Sequence, residues 1–357
     1  MTLLLSNDDV AELLSMSECM AALEEAYVEL AAGRGVSRTR SDTLTPTARS
    51  GRLYGLKTMD GVVPKIGVGA VRINSDILTW PERDGNMRRE KVPAAPNGRY
   101  VGLVLLFSTE TGEPLAIFPD GVLQRLRVGA TNGLGAKYLA REDAQTVGLL
   151  GSGWQAGGQL LAICAVRAIT TIRCFSPNAS HCEAFCREMA QEIDREVLPV
   201  ASPEEAVMNA DVVLCATNSV DNVFFERWIQ PGMHISSIKR PELEARAIQR
   251  CDPVVIHTND AKPLHFTTRD LEIPEAAIGK GWKLAEEIDF GALPTLPELI
   301  TGTVLGRTDD DQVTGFLNNL GLGCQFAAGG AVIYEKAKQA GRGRELPTDW
   351  LTEDVHP

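Results

Sequence analysis

No run of apolar residues in the chain is long enough to cross a bilayer, so a membrane partner is not expected. The opening MTLLLSNDDVAELL places acids directly after a short apolar stretch, which reads as neither a secretion signal nor an anchor. Basic residues are outnumbered: 35 Lys and Arg against 47 Asp and Glu leave a net charge of -12. Such a surface excludes nucleic acid as the expected partner, because phosphate contacts need clustered cations. Paired cysteine motifs are missing too. The eight cysteines, at 19, 164, 174, 182, 186, 215, 251 and 324, show neither CxxC spacing nor histidine partners at zinc-ligand intervals. Cys182 and Cys186 stand one helical turn apart, but like the others they read as core thiols, and no metal is expected. The expected setting is the cytoplasm.

What is present is an ordinary globular composition, 44% hydrophobic and 23% charged, over 357 residues, enough for two domains with a substantial core. SNDDVAELLSMSECMAALEEAYVELAAG carries apolar residues at helical intervals and predicts two helices, with Ser6 and Ser17 as N-caps and Gly33 as a stop. From Thr39 to Phe118 the texture changes to short β-type runs, KIGVGAVRIN and RYVGLVLLFS, the second continuing through TETGEPLAIF as a hairpin. After Arg127, VGATNGLGAKYLAR predicts a helix with a closely packed small-residue face. From Gln145 strands and helices alternate through TVGLLGSG, TTIRCFS, ADVVLCATN, MHISSI and DPVVIHTND, the mark of a parallel, doubly wound sheet. LGLGCQFAAGGAVIYEKAKQAG closes the chain as a second small-faced helix. The expected fold class is α/β: a doubly wound parallel sheet over 128–313 and a discontinuous α+β domain formed by 1–127 and 314–357.

The apolar run LLGSGWQA, residues 149–156, breaks into G-x-G-x-x-A, the dinucleotide fingerprint in its Ala-ending form. Gly151 permits the tight turn out of the strand, Gly153 admits a pyrophosphate to the backbone, and Ala156 keeps helix and sheet close. Trp154 and Gln155 occupy the first helical positions, where unpaired N–H groups and the positive dipole end face an anion. A motif alone is weak, but this one follows a strand, opens a helix and heads further strand–helix units. About 20 residues on, where an acid usually grips the ribose of NAD, the chain reads CFSPNASH. Ser176 and Asn178 offer hydrogen bonds there without a carboxylate. NADP is therefore favoured over NAD. Thr217 and Asn218, ending the third strand unit, are expected on the nicotinamide side.

LRVGATNGLGAKYLAREDAQTVGLLGSGWQA resembles the segment of the ornithine cyclodeaminase and mu-crystallin family in which an Arg-Thr-Ala-Ala helix leads into the nucleotide fingerprint. GLVLLFSTETGEPLAIFPDG is similar to the family's preceding hairpin, and PGMHISSI to its fourth Rossmann strand; the likeness runs from about Val101 to Lys338. The resemblance implies a homodimer with a Rossmann domain and a discontinuous substrate and dimerisation domain. It also implies hydride exchange between a nicotinamide and a carbon bearing an amine or imine. By resemblance, Arg127 matches the arginine that binds the substrate carboxylate, a role suited to a planar two-point donor. Arg40, in SRTRSDTLTP, sits near the second carboxylate-binding arginine.

Two departures from the family pattern bear on chemistry. The run corresponding to the strand that carries the family's catalytic lysine is GVGAVRINSD, with Arg72 as the nearest cation; Lys57, in YGLKTMDG, is an alternative. An arginine shuttles protons poorly, its pKa staying above about 12, so Lys57, Asp76 or water is left as the proton donor. Cyclodeaminating members carry an aspartate after the fourth strand, where SSIKRPELE places Lys239. A lysine there repels a distal ammonium and suits a carboxylate, a carbonyl or the cofactor phosphate. The expected activity is NAD(P)H-dependent reduction of the imine of an α-keto acid, or its reverse, on a small amino or imino acid. A cyclodeaminase, distinguished by ammonia release, and a non-catalytic NADP-binding crystallin-like protein stand as alternatives.

Overall fold

A computed structural model describes residues 1–83, 86–87, 90–219, 221–239, 242–259, 263–269, 271 and 288–355. The chain divides into two compact units. The first comprises Met1–Arg127, Lys262–Ile278 and Gly321–Pro357, the second Val128–Ala261 and Gly279–Leu320.

In the first unit, helices α1 (Asn7–Leu13) and α2 (Met16–Ala31) each begin in a reciprocal capping box. Ser6 caps α1 as expected. The second cap is Ser15 rather than Ser17, because Glu18 lies three residues beyond Ser15 and bonds back to its backbone N–H and hydroxyl. The sheet of this unit contains β1 (Thr2–Leu4), β2 (Val36–Ser37), β3 (Ser41–Pro46), β4 (Leu53–Val63) and β5 (Val68–Thr79). A two-stranded hairpin, β6 (Glu82–Arg83) with β7 (Asn86–Met87), stands apart from it. β8 (Glu90–Val92), β9 (Val101–Ser108), β10 (Pro114–Pro119), β17 (Leu264–Thr267) and β19 (Arg344–Leu346) complete the main sheet. Its order is β17-β3-β4-β5-β9-β10-β1-β19, with β2 on β4 and β8 on β5. β4 and β5 pair along their full length, from Leu53 opposite Leu78 to Val63 opposite Val68.

That register has a chemical outcome. Side chains alternate across a strand, and the covered face of β5 receives Arg72, Asn74 and Asp76 while Ile73 and Ile77 point the other way, half-exposed. Lys57 falls on the covered face of β4. The long helix Gly323–Ala340 lies over this face, and glycines on both sides permit the contact: a Cβ at Gly61 of β4 would stand 2.2 Å from the Cys324 nitrogen, and one at Gly323 of the helix 2.0 Å from the Asp60 carbonyl carbon. Gly329 and Gly330 make room in the same way for Leu123 and Leu106. The small face of this helix is therefore spent on packing within its own unit.

α3 (Gly121–Leu139) starts before Arg127, so Arg127 sits in its second turn rather than at its start. The second unit is a seven-stranded parallel sheet, order β13-β12-β11-β14-β15-β18-β16. Its strands are β11 (Thr146–Leu150), β12 (Thr171–Phe175), β13 (Leu198–Pro199), β14 (Val212–Cys215), β15 (His234–Ser237), β16 (Val254–Ile256) and β18 (Thr314–Leu317). One core joins the sheet to α4 (Trp154–Val166) and α5 (Ala179–Ile193); another, around Phe224, Ile235 and Leu243, covers the opposite face. On α3, Gly135 faces the Phe316 ring, 2.6 Å from where a Cβ would sit, which explains the small residues read in that helix.

The boundary expected at 314 falls inside the parallel sheet, since β18 pairs with both β15 and β16. The chain rejoins the first unit at Gly321, and β17 also belongs there, alongside β3. Among the described residues, no helix is long and apolar enough to cross a membrane.

Candidate functional site

In the second unit, β11 ends in the Gly-Ser-Gly turn. Gly151 has a φ of +113°, and a Cβ there would stand 2.3 Å from the Ala216 carbonyl oxygen. Both facts demand glycine. Gly153 is different: its φ is ordinary, and a Cβ would meet nothing within 4 Å. What the missing Cβ leaves clear is space over the start of α4, whose N-cap Gly153 supplies no side-chain hydrogen bond. Ala156 is fully buried against the sheet, Trp154 is 55% exposed, and Gln155 has a buried Oε1 with no partner. An uncapped helix start and open space beside Gly153 fit a dinucleotide pyrophosphate.

At the end of β12, Ser176 is half-buried and Asn178 exposed. The Asn178 side chain caps α5, accepting from the His181 N–H at 3.0 Å, while His181 Nδ1 lies 2.9 Å from Ser152 Oγ. Residues 176–182 bring no carboxylate to this place. Arg173 is turned to the Met208 carbonyl.

The loops after β14 and β15 are held by a residue that sequence reasoning missed. Glu242 is fully buried and accepts from the Thr217 hydroxyl at 2.9 Å, the Thr217 N–H, the Ile238 N–H at 2.9 Å and the Lys239 N–H at 3.0 Å. Burial raises its pKa, and this net rise survives the hydrogen bonds that oppose it. Lys239 donates from Nζ to the Ser219 carbonyl at 2.8 Å, tying the two loops together. Thr217 is thus a loop anchor, and Asn218 beside it is exposed. ELE in the sequence carries no local signal that its first acid turns inward.

The first unit holds the charged cluster. Lys57 Nζ lies 2.8 Å from Asp76 Oδ2, and Lys91 reaches Asp76 Oδ1 at 2.9 Å. Burial pushes the Asp76 carboxyl up, but Lys57 and then Lys91 outweigh it and hold the group below its usual range. Asp76 belongs to β5, on its covered face. Arg72 donates from Nε to Asp120 Oδ2 at 2.6 Å and from its terminal nitrogen to Gln124 Oε1 at 2.6 Å. Asn74 also donates to Asp120. Gly102 makes this possible, since a Cβ there would stand 2.0 Å from Asp120 Oδ1. Arg72 is thereby committed to a buried ion pair, and Lys57 is the buried ammonium of the sheet's inner face.

Arg127 is buried in the same unit. It donates to Gln325 Oε1 at 3.2 Å, and Gln325 in turn donates to the Tyr27 hydroxyl at 2.9 Å. The guanidiniums of Arg127 and Arg72 lie 5.3 and 5.7 Å from the centroid of one ring, Phe326, which shares its π face between them. Burial, followed by the neighbouring Arg72 charge, pulls the Arg127 pKa down to about 10. Arg127 remains a cation at neutral pH, and an anion brought beside it would offset both penalties. Arg40 precedes β3 and grips Asp42 with two bonds of 2.9 Å. Arg40 also contributes to the field at Arg127.

A family model described as "Ornithine cyclodeaminase/mu-crystallin family" matches residues 1–341. A Δ1-pyrroline-2-carboxylate reductase of Bacillus cereus is 28% identical over 349 residues, spanning 96% of this chain and 99% of the relative. Among solved structures, the Δ1-pyrroline-2-carboxylate reductase of Thermococcus litoralis in complex with NADH and L-proline superposes with a TM-score of 0.79. It is 27% identical, covering 97% of this chain and 100% of that one. An archaeal alanine dehydrogenase dimer with bound NAD gives a TM-score of 0.74 at 25% identity, covering 97% and 99% of the two chains.

Proposed function

The chain belongs to the ornithine cyclodeaminase/mu-crystallin family, and we propose that it is an NAD(P)H-dependent oxidoreductase acting on the C=N bond of an imino acid, or on the CH–NH bond of the matching amino acid. The buried Arg127 guanidinium, set beside Arg72 on one aromatic ring, carries the substrate class. A buried guanidinium whose pKa burial and the nearby Arg72 pull down is favoured by a bound anion, and its planar fork favours a carboxylate. Arg40 adds positive potential to the same place.

The cofactor, when bound, supplies hydride. Gly151, Gly153, Trp154, Gln155 and Ala156 form the turn and helix start that would hold its pyrophosphate. Ser176 and Asn178 stand at the ribose end, and Thr217, Asn218 and Lys239 belong to the loops at the carboxyl ends of β14 and β15, where Glu242 fixes them. The missing acid after β12 supports NADP over NAD. Lys57 is assigned the proton: its ammonium, paired with Asp76 at 2.8 Å, donates to the imine nitrogen, and with hydride delivered to the imine carbon the product is the amine. Arg72 positions rather than protonates, its Nε being engaged by Asp120. A cyclodeaminase would need an acid where Lys239 stands, and Lys239 disfavours that alternative.

A homodimer is supported by the outer face of the first unit's sheet, where Ile73 lies beside Leu103 and Val71 beside Leu105 with Leu103 39% exposed. All eight cysteines are free thiols, which suits the cytoplasm. The testing experiment is a panel of cyclic imino acids, Δ1-pyrroline-2-carboxylate first, and of α-keto acids with ammonia or methylamine, each assayed with NADH and NADPH. Turnover of a carboxylated imine with either nicotinamide supports the reading. Binding of dinucleotide without turnover of any member contradicts it.

A further inference from the structure

We propose that Cys174, Cys182 and Cys186 form a binding site for one thiophilic cation of the Zn(II) or Cd(II) type, directly beneath the dinucleotide turn. Cys182 and Cys186 project from one face of α5, and Cys174, near the end of β12, brings the third sulfur to them. The three sulfurs lie within 4.8 Å of one another, and Cys174 Sγ to Cys182 Sγ is 3.7 Å. Metal–sulfur bonds of about 2.3 Å place three ligand sulfurs roughly 4 Å apart, so the trio needs little movement to close on an ion. Sulfur ligands alone select soft cations and reject oxygen-seeking ones such as Mg(II) or Ca(II). His181, next in sequence to Cys182, is not part of the set, since its ring goes to Ser152.

Binding forms three S–M bonds, and each thiol releases its proton to solvent; no electrons move. The product carries one net negative charge in an apolar core. Two features offset it: the Ser176 N–H donates to Cys182 Sγ, and Cys182 is the fourth residue of the fifteen-residue α5, near its positive end.

The ion is felt at the cofactor turn. Cys174 donates its S–H to the Gly151 carbonyl at 3.6 Å, a bond that metallation removes, and the Gly151 N–H is tied to the Phe175 carbonyl at 2.9 Å. Metal and dinucleotide therefore alter each other's affinity. The site stands independently of the catalytic reading; only this coupling rests on dinucleotide binding.

The test is titration of reduced, chelator-stripped full-length protein with Cd(II) alone, followed by its thiolate charge-transfer absorption, proton release and cadmium NMR. One equivalent per chain is expected, with an all-sulfur cadmium shift. Affinity should fall at least tenfold in Cys182→Ala and in Cys186→Ala, about 1.4 kcal/mol, and be unchanged in Cys251→Ala, with circular dichroism reporting folding. NADH affinity should differ between the loaded and stripped forms. Absence of a stoichiometric site in the wild type, a cadmium shift of mixed ligands, or binding that persists in the Cys182→Ala/Cys186→Ala double variant overturns the site. Equal NADH affinity in the two forms overturns the coupling.

Discussion

Lys57 and Asp76 form a buried ion pair of 2.8 Å between antiparallel strands, with side-chain exposures of 7% and 1%. Asp76 also holds Lys91, which is 41% exposed, so a single carboxylate balances one hidden and one accessible ammonium. The hidden one is the candidate acid.

Lys57→Met is expected to lower kcat by roughly 100- to 10,000-fold, the range for loss of general acid catalysis, with a smaller change in KM. Asp76→Asn should instead destabilise the fold by about 3–5 kcal/mol, because it strands a buried cation. Steady-state kinetics and denaturant unfolding separate the two. Equal kcat in wild type and Lys57→Met would remove Lys57 from the chemistry.

The two glycines of the turn should respond differently. Gly151→Ala strains a positive φ and drives a Cβ into the Ala216 carbonyl, so the folded protein itself should suffer. A Cβ at Gly153 would meet nothing within 4 Å, so Gly153→Val should cost the fold less than Gly151→Ala while weakening NAD(P)H binding at least tenfold, about 1.4 kcal/mol. Melting curves paired with fluorescence titration of Trp154 read both. Full cofactor affinity in Gly153→Val would place the pyrophosphate elsewhere.

His234, fully buried at the start of β15, has its pKa pulled down to about 3 by desolvation first and then by Arg307 and Arg167. Its Nδ1 lies 2.9 Å from Thr314 Oγ1. The unfolded chain takes up this proton near 6.5 and the folded chain resists it, so the contribution to stability is complete above that pH. As pH falls from 6.5 towards 3 it is lost, with a slope of up to about 1.4 kcal/mol per pH unit. Urea unfolding across this window should show a shallower acid slope in His234→Gln than in wild type. Identical slopes would mean that other groups set the acid limb.

The parts of this architecture written in local pattern were legible. G-x-G-x-x-A stands between an apolar strand and a helix, which is enough to place the turn, although the Ala216 carbonyl that forbids a Cβ at Gly151 comes from the end of a neighbouring strand. Lys57, Arg72 and Asp76 were visible as residues, but not their pairings: a register between two long strands decides that Lys57 meets Asp76, and the partner of Arg72, Asp120, arrives from beyond β10. Glu242 was invisible because its four donors come from two loops brought together by the sheet. For the same reason Cys182 and Cys186 read as a pair: the third sulfur arrives from a neighbouring strand. The return to the first unit was placed early because Thr-Gly-Phe-Leu is too short to reveal which sheet it joins.

Arg127 is the centre of the account, and the role proposed for it is carboxylate capture. The decisive measurement compares kcat/KM for a cyclic imino acid and for the same ring lacking the carboxylate, in wild type and in Arg127→Ala. The wild type should prefer the carboxylated ring at least tenfold, equivalent to about 1.4 kcal/mol, through a lower KM, and Arg127→Ala should lose that preference. A variant that keeps the full preference for the carboxylated ring would contradict the account.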